Sequence, residues 1–94
     1  MIDDIRNYLS TQPILKAWLF GSYSRGEERQ DSDIDLLVSY DRSQPIGLFR
    51  IGRITNALRE ITGRDVDVVD DETVFPWVRP NIDHDKILIY ERAN

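Results

Sequence analysis

Ninety-four residues with a formal net charge of −5 suffice for one modest core, and they read as a single domain over residues 1–94 with no second substrate domain. The acidic balance, with a pI near 4.7, excludes an autonomous grip on nucleic acid, which needs clustered Lys and Arg against phosphate. Absence of cysteine excludes disulfides and thiolate metal sites. With no apolar run of membrane-spanning length and no signal-peptide core at the N-terminus, a soluble cytoplasmic protein is expected.

Periodicity places a helix at residues 1–10, with Ile2, Ile5 and Leu9 on one stripe and Asp3 and Asp4 favourable to the dipole in its first turn. Pro13 ends it. Residues 14–20 are a nearly continuous apolar run broken only by Lys16, which predicts a strand buried on both faces with Trp18 in the core. That strand delivers the chain to Gly21.

Residues 21–38, GSYSRGEERQDSDIDLLV, concentrate the chemistry. A helical turn is expected at 23–26, with Tyr23 packing, then a charged loop at 27–31 and a strand at 33–39 antiparallel to the first. Carboxylates two apart on a strand share a face, so Asp33 and Asp35 project together while Ile34, Leu36 and Val38 enter the core. At an effective dielectric of ~20 and a separation of ~5 Å the two charges repel by about 3 kcal/mol, so the pair wants a cation between them. Hard oxygen ligands select magnesium or manganese over zinc. Gly21 lets backbone approach a ligand without a Cβ, and Ser22 offers its hydroxyl and the amides of the following turn to phosphate oxygens. Arg25 either contacts the phosphates or braces the loop by pairing with Glu28 or Asp31. Together these residues describe a site for a metal-bound triphosphate.

Residues 41–45 read as a turn, with Pro45 suited to a helix first turn and Ser43 or Gln44 as cap. The helix at 46–62 carries the apolar stripe Leu48, Ile51, Ile54, Leu58 and Ile61, and Gly63 stops it. Such a crossover brings a strand at 65–70 parallel to the Asp33 strand. Asp65 and Asp67 then share a face, and either could complete a carboxylate triad. The acidic run 70–72 reads as a solvated turn. Residues 75–82 predict a short helix with Pro76 near its start, and Phe75 and Trp77 are weighed as core residues or as a partner anchor. His84 reads as a surface residue, and 86–90 as a last, edge strand. The fold class is α/β, a small mixed sheet with flanking helices.

Gly21 and Ser22, followed at this spacing by Asp33-x-Asp35, resemble the signature of the nucleotidyltransferase superfamily that includes DNA polymerase beta. With Arg25, Gly26 and Ser32 added, the segment is similar to the minimal nucleotidyltransferases (MNT domains) paired with HEPN proteins in prokaryotes; Ser24 stands where those domains usually carry Ala. The resemblance covers nearly the whole chain and implies the polymerase beta-like nucleotidyltransferase fold. It implies Asp67 as the third carboxylate, because the apolar frame from Val66 to Val69 is similar to the family's third-acid strand. It also implies two Mg2+ ions held by Asp33, Asp35 and Asp67 at the alpha phosphate of ATP, with Gly21, Ser22 and Arg25 on the phosphates. The implied partner is a HEPN-family ribonuclease toxin encoded nearby, with which the chain would form an oligomer. The MNT antitoxin would neutralise that toxin by transferring AMP to one of its tyrosines. No acceptor pocket is read from the sequence, so the acceptor comes with the partner. Two rivals stand beside this reading. One is a non-catalytic antitoxin acting by binding alone; the other is the catalytic subunit of a two-chain small-molecule transferase similar to aminoglycoside nucleotidyltransferases.

Overall fold

The computed structural model describes residues 1–27, 29 and 32–93. In chain order it has helix α1 (Ile2–Leu9), strand β1 (Ile14–Phe20), a 3-10 turn (Gly21–Tyr23), β2 (Ile34–Tyr40), α2 (Leu48–Thr62), β3 (Val66–Asp70), α3 (Arg79–Asp85) and β4 (Ile87–Glu91). The sheet order is β3-β2-β1-β4. β1 runs antiparallel to both β2 and β4, and β3 runs parallel to β2, as a helical crossover requires. The small mixed sheet with flanking helices agrees with the expected fold class.

Strand alternation gives the sheet two unlike faces. One carries Ala17, Leu19, Ile34, Leu36, Val38 and Val66, and it packs against Ile5 and Leu9 of α1 and Ile54 and Leu58 of α2 in one buried cluster. Each such Ile or Leu contributes about 1.5–3 kcal/mol on burial, and each of the two helices places two of them in the cluster. The other face carries Trp18, Phe20, Asp35, Leu37, Asp67 and Val69, brought into rows by the strand register. Leu37 and Ile82 are buried outside the main cluster, with Ile82 supplied by α3.

Several boundaries and burials differ from expectation. β1 is not buried on both faces: Leu15 and Lys16 are exposed, and the register slips between Ile14 and Lys16. Trp18 is half-buried on the second face, with the Lys86 ammonium 4.9 Å from its ring centroid. α2 begins at Leu48 after Gly47, with no side-chain cap. Ser43 instead turns back on Asp41, donating its hydroxyl at 2.6 Å, and Pro45 lies before the helix. Leu48 is 85% exposed and Ile61 38%, so of the stripe only Ile54 and Leu58 enter the core, with Ile51 packed against it. Gly63 does end the helix, at φ +67°, with its N–H donating to the Arg59 carbonyl at 2.8 Å. The proline near the start of α3 is Pro80, not Pro76, and residues 75–78 form the turn before it. The acidic run 70–72 is tied down rather than merely solvated. Asp70 and Glu72 pair with Arg42, and Asp71 pairs with Arg79 at 2.8 Å.

No helix among the described residues is long and apolar enough to cross a membrane.

Candidate active site

The site begins where β1 runs out. Gly21 takes φ +72°, a left-handed conformation that favours glycine, and so turns the chain sharply at the end of the strand. Its bare Cα faces β2 so closely that a Cβ there would collide with the Asp35 carboxylate. The turn is locked by its own backbone. The Ser24 and Arg25 amides donate to the Gly21 and Ser22 carbonyls, both at 3.2 Å, and the Glu27 amide donates to Ser22 at 2.9 Å. The Ser24 hydroxyl adds a bond to the Gly21 carbonyl at 2.7 Å, which gives this serine a bracing role that alanine lacks.

β2 and β3 supply the carboxylates. Asp35 pairs across the sheet with Phe20 on one side and with Asp67 on the other, so the two acids are neighbours in register on one face. Asp33 lies two residues before Asp35, just outside β2, and is exposed. The Asp35 carboxyl is pushed above its ordinary range, first by burial, then by the charges of Asp67 and Asp33, with Arg25 pulling the other way. Asp67, Asp33 and Arg25 therefore all lie near enough to act on the Asp35 charge. Asp65 is not part of this corner: it precedes β3, is exposed, and stands 4.0 Å from Arg59. The β2–β3 register thus separates the two acids that sequence spacing alone leaves equivalent.

Arg25 donates to Asp85 at 2.6 Å and stands 3.3 Å from Glu27. The partners considered from sequence, Glu28 and Asp31, lie outside the described residues. Tyr23 packs against the main cluster, with the Arg64 guanidinium 5.7 Å from its ring centroid. His84 is a surface residue, its side chain 88% exposed.

Among the described residues no group of three acidic or histidine side chains is arranged as it stands to hold a metal ion. The chemistry of the donors nevertheless fits a hard divalent cation. Asp33, Asp35 and Asp67 offer only oxygen, and their mutual repulsion at Asp35 is what a cation would relieve.

Phe75 and Trp77 were the hardest residues to assign from sequence, and they are not core. They are 61% and 74% exposed and stack on each other, with ring centroids 4.8 Å apart and planes 5° from parallel. Behind Phe75 lies a cleft of about 300 Å3 that reaches Asp67. It is built by residues distant in sequence.

A glycine-led turn at the end of one strand, facing an Asp-x-Asp at the start of its antiparallel neighbour, is the arrangement that the resemblance to nucleotidyltransferases implies. Residues 3–94 match the polymerase beta nucleotidyltransferase family. The chain belongs to this polymerase beta-like family, as a minimal, MNT-type member. It is 36% identical over 72 residues, 76% of this chain and 71% of the relative, to "Putative protein adenylyltransferase MJ1217" of Methanocaldococcus jannaschii. Its fold is that of a solved toxin–antitoxin complex with AMP-PNP, at TM-score 0.83 and 22% identity, over 97% of this chain and 73% of that one. A second fold neighbour is a tri-AMPylated HEPN toxin from Shewanella oneidensis in complex with MNT antitoxin. It matches at TM-score 0.67 and 18% identity, over 98% of this chain and 74% of that one.

Proposed function

We propose that this chain is a magnesium-dependent protein adenylyltransferase that moves AMP from ATP to a tyrosine of a HEPN-family partner, and so acts as an antitoxin. The observation that carries this reading is the Asp35 carboxylate, set against bare Gly21 on one side and in register with Asp67 on the other. Support comes from relatives named as protein adenylyltransferases and from a fold neighbour whose toxin carries AMP. In this reading residues 1–94 are one nucleotidyltransferase domain, which acts in the cytoplasm as an oligomer with its partner.

Asp33, Asp35 and Asp67 would hold two Mg2+ ions, which when bound neutralise charge on the phosphate oxygens and on the leaving pyrophosphate. The chain's own groups do the rest. Gly21 and Ser22 hold the outer phosphates with backbone amides and a hydroxyl, and Arg25 adds a charge-assisted contact. The partner's tyrosine oxygen bonds to the alpha phosphorus, the bond from that phosphorus to the bridging oxygen breaks, and pyrophosphate leaves. The phenolic proton departs through Asp67 to water.

The test is intact-mass measurement of both chains after incubation of the protein with Mg2+, labelled ATP and the HEPN-like product of the neighbouring gene. A mass gain equal to AMP on the partner, absent with Asp33→Asn and with nucleic acid unlabelled, is expected. An unmodified partner that is still inhibited by Asp33→Asn would point to an antitoxin acting by occupancy. Label on a small molecule would point to a two-chain transferase.

A further inference from the structure

The cleft beside Asp67 is walled by Phe20, Val69, Val74, Phe75, Val78 and Ile82. Its polar lining is the Asp67 carboxylate and Thr73, while Ser22, Arg25 and Asp33 take no part. It therefore adjoins the reactive carboxylates without using the groups suited to phosphate. At about 300 Å3 it stands at the small end of ligand pockets and has room for an aromatic ring. A phenol presents an apolar ring and one O–H, which is what apolar walls and one carboxylate accept.

We propose that this cleft is the acceptor subsite. It takes the tyrosyl ring of the partner protein, the phenolic O–H donates a hydrogen bond to Asp67, and the stacked Phe75 and Trp77 at its rim seat the flanking partner chain. Two observations commit the cleft to a protein segment rather than a free metabolite. The exposed aromatic pair is continuous with the cleft through Phe75, forming the kind of rigid anchor that protein interfaces use. The net charge of −5 also complements a tyrosine with basic flanks. The assignment rests on the proposed transfer of AMP to a protein and adds to it the residues that select a phenol.

The experiment is methyl and amide NMR on the full chain, titrated with N-acetyl-L-tyrosinamide, with N-acetyl-L-phenylalaninamide and with adenosine. Methyl groups of Val69, Val74, Val78 and Ile82 should shift with the tyrosine probe, several-fold more weakly with the phenylalanine probe, and not with adenosine. Val78→Phe fills the mouth of the cleft and should raise the half-saturating concentration of the tyrosine probe by about tenfold or more. Phe75→Ala, at an exposed position that the fold does not need, should weaken it as well. In both variants the amide shifts of Gly21 and Ser22 with ATP should match the parent. The proposal is overturned if adenosine moves these methyls, if the tyrosine probe leaves them still, or if both variants bind the probe like the parent. Its failure is separable from that of the proposed reaction. A chain that binds the phenol here but never labels its partner keeps the cleft and loses the reaction; a chain that labels a tyrosine while these methyls stay still does the reverse.

Discussion

Arg25 is held by Asp85, its Nη1 donating to Oδ2 at 2.6 Å across a separation of 60 residues in the chain. The bond ties the Gly21 turn to the end of α3, and in the proposed role Arg25 would turn a donor from Asp85 to a phosphate oxygen. Arg25→Ala should raise the KM for ATP by about tenfold, the loss of a charge-assisted contact. Asp85→Asn releases the guanidinium from a solvent-facing pair and should lower that KM by no more than about threefold. Steady-state kinetics at saturating acceptor measure both. A KM unmoved in Arg25→Ala would remove the residue from the binding set.

The Asp35 carboxyl carries a cost that function imposes on stability. Its folded pKa lies above the ordinary 3.8 because of burial and the neighbouring acids, so the folded state holds this proton more tightly than the unfolded one. The stabilising contribution is full below 3.8 and is lost as pH rises through the folded value. In metal-free buffer Asp35→Asn should therefore melt above the parent at pH 7, with the gap closing as pH falls toward 4, while transfer is abolished. Thermal melts across that range decide it. A parent more stable than the variant at pH 7 would contradict the strained-acid account. Mg2+ with ATP should raise the parent's melting temperature, and Asp33→Asn with Asp35→Asn should remove that rise.

Gly21→Ala tests the close approach directly. The methyl must fit a left-handed backbone, at about 1–2 kcal/mol, and must also push away the Asp35 carboxylate. Transfer should fall by roughly a hundredfold, the scale expected when a reacting group is misplaced by about an ångström, while circular dichroism still reports a folded chain. Activity within threefold of the parent would mean that the turn does not position Asp35.

Asp67→Asn should keep most of the nucleotide binding and reduce transfer by about 10²–10⁴, the range of a lost acid–base group. Asp65→Asn should behave like the parent, since it gives up only a long contact with Arg59 at 4.0 Å. Binding by calorimetry and single-turnover rates separate the two effects. The reverse pattern, with Asp65→Asn inactive and Asp67→Asn active, would move the third acid to Asp65.

The comparison of sequence with structure turns on distance along the chain. Gly21, Asp33 and Asp35 were legible because a turn and a strand alternation fix them locally, and the apolar run at 14–20 was legible because a short run of that kind has few other uses. Asp65 and Asp67 are equivalent by alternation, and the β2–β3 register sets Asp67 opposite Asp35, where a slip of two residues would set Asp65 instead. Leu48 followed the helical stripe but is exposed, because periodicity reports which side of a helix is apolar and not how far the surface beneath it extends. Phe75, Trp77 and the cleft were not legible. The walls of the cleft come from the end of β1, from β3, from residues 73–78 and from α3, which no local pattern relates.

The crossover between β2 and β3 divides the site by the cost of closing its contacts. Gly21 and Asp35 meet through the adjacent, antiparallel strands of one hairpin, whereas Asp67 arrives only after α2 has carried the chain back for a parallel pairing. Local antiparallel contacts form readily, while parallel pairing across a helix must close a long loop first. The contact of Gly21 with Asp35 therefore has the lower loop-closure cost, and the pairing of Asp35 with Asp67 the higher.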